Sequence, residues 1–293
     1  MYRKFDSTEV LLAERNKNSE TLGATDFAAI VEPNQWKGPW DVWASRKLNL
    51  RKEGNKNTFR GLKWERAVFD ACASQLPDSK VVFNTQWWRE EEPWLVASPD
   101  GVSADFLVEI KTTRTWDAWG VARSTAVDWE NPPIPKNYLA QVAAQLYCAN
   151  ISTAYLCAGS IDPESWELET RVYRIEADQE RIVAWVNQAK SWRDKYLVGD
   201  EIPEADGSPG CDLVIGVRSM ISSRPGTSAE REKIVEFLTV KEELHRLELR
   251  ARTLSQGLQL GMESPKTIEV GGFKATRVRR AETESLSAKR IKA

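Results

Sequence analysis

The stretch PWLVASPDGVSADFLVEIKTT, residues 93–113, decides how the rest of the chain is read. An apolar run from Trp94 to Ala97 breaks at Gly101, and a second from Phe106 to Ile110 gives way to the polar Lys111-Thr112-Thr113. This pattern predicts two strands joined as a hairpin. Side chains alternate across a strand, so Glu109 and Lys111 share one face while Val108 and Ile110 take the other. Asp100, at the end of the first strand, approaches the charged face. Two carboxylates and one ammonium are therefore expected to meet at a sheet surface.

Such a donor set suits a hard divalent cation, because Mg²⁺ prefers carboxylate and carbonyl oxygens in octahedral geometry and keeps several waters. The main-chain carbonyl of Ile110 is a further candidate ligand. Without a cation the two carboxylates repel, and one is driven toward protonation. With one, bound water becomes more acidic and charge developing on a phosphate is neutralised, while Lys111 orients the nucleophile or steadies the transition state. Phosphodiester hydrolysis is the chemistry implied. E-x-K alone is a common pattern; its weight comes from the S-P-D-G upstream and the apolar strand that leads into the Glu.

Residues 57–76, NTFRGLKWERAVFDACASQL, predict an amphipathic helix with Leu62, Phe69, Cys72 and Leu76 toward one side. Glu65 lies in its first half and is a candidate third carboxylate; read alone, it is a surface residue. Downstream, YLAQVAAQLYC places Tyr138, Gln141 and Gln145 on one helical face and Leu139, Val142 and Leu146 on another. A glutamine stripe facing a phosphate site can hydrogen-bond water or DNA.

The whole composition narrows the chemistry. Of 293 residues 41 % are hydrophobic and 29 % charged, with 41 Lys and Arg against 43 Asp and Glu. That is a globular composition without the overall basic charge of many small nucleic-acid binders. Charge is uneven, however: Lys37 to Arg66 carries nine basic residues against Asp41, Glu53 and Glu65, a net of +6. The single histidine, His245, sits among Glu242, Glu243 and Arg246, which removes imidazole-based triads and His-rich zinc sites. No GxxxxGK[ST] run is present, so ATP is not expected as a ligand. Cys72, Cys148, Cys157 and Cys211 form no CxxC pair, as expected of reduced thiols in a cytoplasmic protein. MYRKFDSTEV has no apolar signal core and no run of eighteen apolar residues occurs, so no membrane association is expected.

All 13 tryptophans lie between Trp36 and Trp192, and the composition changes beyond them. Three parts are expected: a domain over 1–198, a linker over 199–212 rich in Gly, Pro, Asp and Ser, and an extension over 213–293. In the extension, Phe237, Val240, Leu244, Leu247, Ala251, Leu254 and Leu258 recur at alternating spacings of three and four, the seam of a long amphipathic helix. Such a seam either pairs with another chain or packs on its own core. TIEVGGFKATRVRR follows, read as two short strands about Gly271-Gly272, with Arg277, Arg279 and Arg280 available to a DNA backbone.

Taken in order, G-A-T-D-F-A-A-I, G-x-x-x-E, S-P-D-G, V-E-I-K and Y-x-A-Q-V-x-x-Q-L resemble the YqaJ-like, lambda-exonuclease-type branch of the PD-(D/E)xK nucleases, over about residues 10 to 195. The resemblance implies an α/β (α+β) fold, a restriction-endonuclease-like mixed sheet flanked by helices, with a helical extension ending in a β-hairpin. It implies two Mg²⁺ ions, replaceable by Mn²⁺, and digestion of one strand of linear double-stranded DNA from 5' to 3' in phage-type recombination. By motif, Asp100, Glu109 and Glu65 would hold metal, Lys111 would assist the attacking water, and Gln141 would match the active-site glutamine. Ser98, Thr25 and Arg15 would match the pocket for a terminal 5'-phosphate. A trimeric ring and a single-strand annealing partner are implied as well, and bacterial or phage-infected cytoplasm as the setting. Related nucleases carry an iron–sulfur cluster on four cysteines; the scatter of the cysteines here leads us to expect none. An endonuclease of the same fold and a non-catalytic DNA-binding module are the competing readings.

Overall fold

The computed structural model describes residues 1–6, 19–50, 56–123, 125–162, 165, 167–199, 201–218, 228–261, 267–270, 273–280 and 283–290. The chain divides into two compact units, Met1–Met220 and Ile221–Ala293.

In the first unit the strand that carries V-E-I-K is β6 (Phe106–Thr113), within a four-stranded mixed sheet. On one side it pairs antiparallel with β5 (Gly101–Val102), and on the other it pairs parallel with β7 (Thr153–Ile161); β8 (Leu168–Glu176) closes the order β5-β6-β7-β8. The predicted hairpin is thereby corrected. The apolar run before Asp100 is β4 (Glu92–Ala97), which pairs with β3 (Thr85–Arg89) and β2 (Leu22–Gly23) in a different sheet that β1 (Tyr2–Lys4) completes, in the order β1-β3-β4-β2. The chain leaves one sheet at Ala97 and enters the other at Gly101, so Ser98-Pro99-Asp100 occupies the junction. Only glycine fits at 101, where a Cβ would stand 2.6 Å from Val81 Cγ1.

The alternation read for β6 holds. Phe106, Val108 and Ile110 are buried with Val68 and Cys72 of α3 (Lys56–Cys72) and with Cys157. Gly159 of β7 permits that approach, since a Cβ there would meet Val68 Cγ2 at 2.4 Å. Leu107, by contrast, joins the main core with Leu156 and the apolar face of α4 (Lys136–Ala149), namely Leu139, Val142 and Leu146. Each of these aliphatic side chains, nearly inaccessible, stabilises the fold by about 1.5–3 kcal/mol relative to exposure. Truncating Leu156 to alanine would cost about 2–5 kcal/mol. The α4 helix starts at the Pro-rich segment before Lys136 and ends at Asn150, whose φ of 55° is a left-handed stop that asparagine tolerates. Helix α1 (Ala24–Val31) packs on α4, and α5 (Gln179–Arg193) is capped by Asp178, which accepts from Arg181 N at 3.1 Å. The result is an α+β unit of mixed sheets flanked by helices, as expected from the sequence.

The segment expected to be a linker, 199–212, lies in the first unit. The indole of Trp40, on α2 (Pro39–Lys47), donates to Glu204 O at 2.6 Å, and Trp40 N donates to Asp206 Oδ2 at 3.0 Å. Helix α6 (Pro209–Arg218) follows, with Gly210 so close to α2 that a Cβ would meet Asp41 N at 2.4 Å. Its Gly, Pro and Asp residues therefore serve capping and close packing rather than slack.

In the second unit the predicted long helix is α7 (Ser228–Gly261). The expected terminal hairpin is a three-stranded antiparallel meander, β9 (Thr267–Val270), β10 (Phe273–Arg280) and β11 (Thr283–Arg290), in the order β11-β10-β9. The sequence pattern predicts the first two strands. The third, TESLSAKR, lacks the apolar run that would have marked it.

Candidate functional site

Glu109 is the centre of the site. It is a carboxylate only 2 % exposed, placed by the pleat of β6 on the face opposite Val108 and Ile110. Its Oε1 accepts from Lys111 Nζ, two residues along the same strand face, and from Gln141 Nε2 at 2.5 Å. Its Oε2 accepts from Gln145 Nε2 at 2.6 Å. The Lys111 ammonium also lies over the ring of Tyr138, 5.3 Å from its centroid. All three members of the α4 stripe thus converge on one Glu–Lys pair, as helical spacing and strand alternation together require.

Asp100 reaches the same pair from the sheet junction. Its Oδ2 accepts from Ile110 N at 2.6 Å, which fixes the carboxylate beside β6. The main-chain group of Ile110 that meets Asp100 is its N–H. Glu65 approaches from α3, the helix on the opposite side of the sheet.

Electrostatics show that these groups sense one another. Burial pushes the Asp100 pKa well above the usual carboxylate range, and repulsion by Glu109 and Glu65 adds to it; Lys111 and the Ile110 N–H oppose the shift without cancelling it. Burial and then Glu109 raise Glu65, against the attraction of Lys111. Burial alone would lower Lys111, but Glu109 and Asp100 outweigh it and hold the ammonium more firmly protonated. One cation thus faces three carboxylates. Among the described residues no three or more Asp, Glu, His or Cys side chains stand close enough together to enclose a metal ion as placed. The donor chemistry nevertheless fits Mg²⁺, which is held by one or two carboxylates, with waters and substrate phosphate completing the octahedron.

Of the three residues expected at a 5'-phosphate, Thr25 and Ser98 each follow a strand of the same parallel pair, β2 and β4. The register is Leu22↔Leu95 and Gly23↔Val96; Thr25 is exposed in the first turn of α1, and Ser98 follows the end of β4. The Ser98 hydroxyl is buried and has no hydrogen-bond partner among the described residues. Arg15 lies outside the described residues. Arg277, Arg279 and Arg280 are on β10, in the other unit, and only their backbone is described.

Two features escaped the sequence reading. The first is that Gln145, 1 % exposed, is a direct partner of Glu109 and that its own Oε1 has no partner among the described residues. The spacing of Tyr138, Gln141 and Gln145 contained that signal. The second is a buried ion cluster at α1, where Asp26 accepts from Lys37 Nζ at 2.7 Å and from Arg46 through Nε at 3.1 Å and Nη2 at 2.5 Å. Burial would raise the Asp26 pKa, yet the two cations drive it far below the carboxylate range. The partners stand 11 and 20 residues away, so no local periodicity announces them.

Comparison with known proteins locates these motifs. Residues 13–152 match the family model of the YqaJ-like viral recombinase domain. A Bacillus subtilis (strain 168) protein described as uncharacterized protein YqaJ is 24 % identical over 287 residues, covering 92 % of this chain and 82 % of its own. Among solved structures, an alkaline exonuclease from Laribacter hongkongensis is similar at 18 % identity and a TM-score of 0.49, over 73 % of this chain and 98 % of that one. A phage related exonuclease from Haemophilus somnus 129PT is similar at 10 % identity and a TM-score of 0.41, over 67 % and 96 %.

Proposed function

From a chain whose residues 13–152 carry a YqaJ-like viral recombinase domain, we propose a divalent-metal-dependent deoxyribonuclease that digests linear duplex DNA from its 5' ends, Mg²⁺ being the expected ion and Mn²⁺ a substitute. The observation that carries this reading is the meeting of Asp100 with Glu109 and Lys111 beside the middle of β6, with Glu65 in electrostatic reach.

Asp100 and Glu109 would hold the metal, with Glu65 completing the acidic set. When bound, the ion supplies acidification of water and neutralisation of charge on the scissile phosphate. The remaining tasks belong to the chain. Lys111, its protonated form favoured by two carboxylates, cannot serve as a base near neutral pH. It acts as a fixed donor that orients the attacking water and compensates charge on the phosphate oxygens. Gln141 and Gln145 hold the two oxygens of Glu109 in place, which sets the direction from which that carboxylate is presented. Tyr138 confines the Lys111 head and shields it from water on one side.

Direction of attack requires a feature that recognises an end. The unpartnered Ser98 hydroxyl, Thr25 and the N-terminus of α1 together offer hydroxyl and main-chain N–H donors of the kind that bind a phosphate. Ser98 is two residues from Asp100, so an end held there delivers the adjacent phosphodiester to the carboxylates.

The test is digestion of a linear duplex labelled separately at each end, with and without 5'-phosphates, in Mg²⁺, with covalently closed circles as a control. Release from the 5' ends, intact circles and loss of activity in Glu109→Gln are expected. Cleavage of the closed circles would make the protein an endonuclease. Wild-type digestion by Glu109→Gln would remove the site assignment.

A further inference from the structure

Lys111 ends in a compact ammonium on a flexible stem, and both Glu109 and Asp100 attract it, so its place beside Glu109 needs a further constraint. The ring of Tyr138, its centroid 5.3 Å from the ammonium, supplies one, because the face of an aromatic ring attracts a cation. Tyr138 itself stands in the first turn of α4 and is only partly buried. What holds that ring is therefore what holds the ammonium.

The support comes from the segment between β6 and α4. Trp119, buried there, lies against Tyr138 with ring centroids 5.6 Å apart and planes at 34°. Tyr173 of β8 meets the same indole at 5.7 Å and 34°, and Trp116 meets it edge-on at 5.9 Å. The main chain beside Trp119 is clipped to β8: Gly120 O accepts from Tyr173 Oη at 2.7 Å and from Arg171 Nη1 at 3.2 Å. Gly120 N donates to Pro133 O at 2.6 Å, an approach so close that a Cβ would meet Pro133 Cβ at 2.8 Å. Arg171 also stacks 4.1 Å from the Trp116 centroid, and the Trp116 indole donates to Glu169 Oε2 at 2.7 Å. Apolar burial alone would ask only for contact. Here directional donors on β8 fix where the Trp119 ring stands, and its next contact is the ring that faces Lys111.

We propose that Trp119 is a positioning residue for Lys111: it keeps the Tyr138 ring against the ammonium, so that the ammonium stays on Glu109 and leaves Asp100 clear. The proposal deepens the nuclease reading above and rests on it. With the Tyr138 ring free to turn away, the ammonium exchanges between the two carboxylates and no longer points one way toward water and phosphate. A misplacement of about 1 Å at such a group costs on the order of a hundredfold in rate.

The experiment reads the full chain in two ways. The first is proton–carbon NMR of protein grown with carbon-13-labelled lysine, the Lys111 side-chain signal being identified by its loss in Lys111→Arg. Shielding over the ring face is expected to place the wild-type Lys111 ε-methylene protons upfield of the other lysines. Trp119→Phe, with a narrower ring, moves them part of the way back and Trp119→Leu moves them further. The second is steady-state digestion of linear duplex in Mg²⁺. There kcat is expected to fall in the same order, by roughly tenfold and then roughly a hundredfold, with KM unchanged, as for an interaction used only in the transition state. A wild-type Lys111 signal among those of the other lysines overturns the proposal. So does a folded Trp119 variant in which either the signal or kcat matches wild type, or in which KM alone moves; Trp119→Phe carries this test if Trp119→Leu does not fold. Absence of digestion by the wild type, with the Lys111 signal displaced and graded as expected, sinks the nuclease reading and leaves the placement of Lys111 by Trp119 standing.

Discussion

Replacing Lys111 with methionine separates the electrostatic reading of the site from a merely structural one. Among the described residues Lys111 is the single cation facing Glu109, Asp100 and Glu65, and its head is largely buried, with 18 % of the side chain exposed beside a Glu109 side chain at 3 %. Removing one partner of a buried ion pair costs about 3–5 kcal/mol, because the opposite charge stays in place without compensation. Glu109→Gln acts in the other direction. It eliminates the charge that raises both Asp100 and Glu65, and the new amide keeps an acceptor for Lys111 and Gln141, while Gln145 can turn its unpartnered Oε1 toward the new N–H₂. Its cost is therefore about 1 kcal/mol or less, the net value of an ordinary hydrogen bond. In a unit of this size 1 kcal/mol moves Tm by about 2–4 °C. Thermal unfolding followed by tryptophan fluorescence in EDTA should then place Lys111→Met on the order of 10 °C below wild type and Glu109→Gln within about 3 °C of it. Both variants should be inactive on linear duplex. Adding Mg²⁺ should recover part of the Lys111→Met loss, since the ion replaces the missing positive charge. Equal melting temperatures for the two variants, or a Lys111→Met protein as stable as wild type in EDTA, would refute the charge argument.

Other consequences follow from individual groups. Because burial and mutual repulsion make Asp100 and Glu65 hold protons more tightly than ordinary carboxylates, Mg²⁺ affinity measured by calorimetry at a series of pH values should weaken as pH falls. Asp26→Asn removes the buried carboxylate that Lys37 and Arg46 share and should cost about 3–5 kcal/mol by denaturant titration. As the folded pKa of Asp26 is depressed, its stabilisation is complete above the unfolded value near 4 and is lost as pH falls from there toward the folded value, so the Asn variant should lose its deficit in acid. Ser98→Ala should reduce the preference for 5'-phosphorylated over 5'-hydroxyl duplex by roughly tenfold, the value of one hydrogen bond to a charged group, with little change in Tm; an unchanged ratio would remove Ser98 from the phosphate pocket.

How much of this was legible in the sequence depends on the range of the interaction. Val108 and Ile110 against Glu109 and Lys111 follow from a two-residue repeat, and Tyr138, Gln141 and Gln145 from a helical one, so the two halves of the site could be read separately. Their meeting could not, because the pairing of β6 with β7 and the packing of α4 depend on residues 30 and more positions apart. The same limit explains the misplaced hairpin. Pro99-Asp100-Gly101 is good turn chemistry, but a local pattern does not say whether the strand before it pairs with the strand after it or with β2 and β3. The 199–212 segment misled for a related reason: glycine and proline are as useful for a close helix contact, like that of Gly210 with Asp41, as for a tether.

Two buried charge clusters in the first unit make the decisive contrast. Around Asp26 two cations serve one carboxylate, every partner is within hydrogen-bond distance, and the acid is driven to its ionised form. That is how a structural ion network settles itself. Around Glu109 the ratio among the described residues is reversed, with three carboxylates and one ammonium, and two of the acids are pushed toward holding a proton more tightly than in water. A chain needing only stability would have no reason to keep this second arrangement, since replacing Asp100 or Glu65 with a neutral residue would relieve it. On the proposed reading, a divalent cation held by Asp100 and Glu109 would neutralise that surplus negative charge, with Lys111 left to face the phosphate.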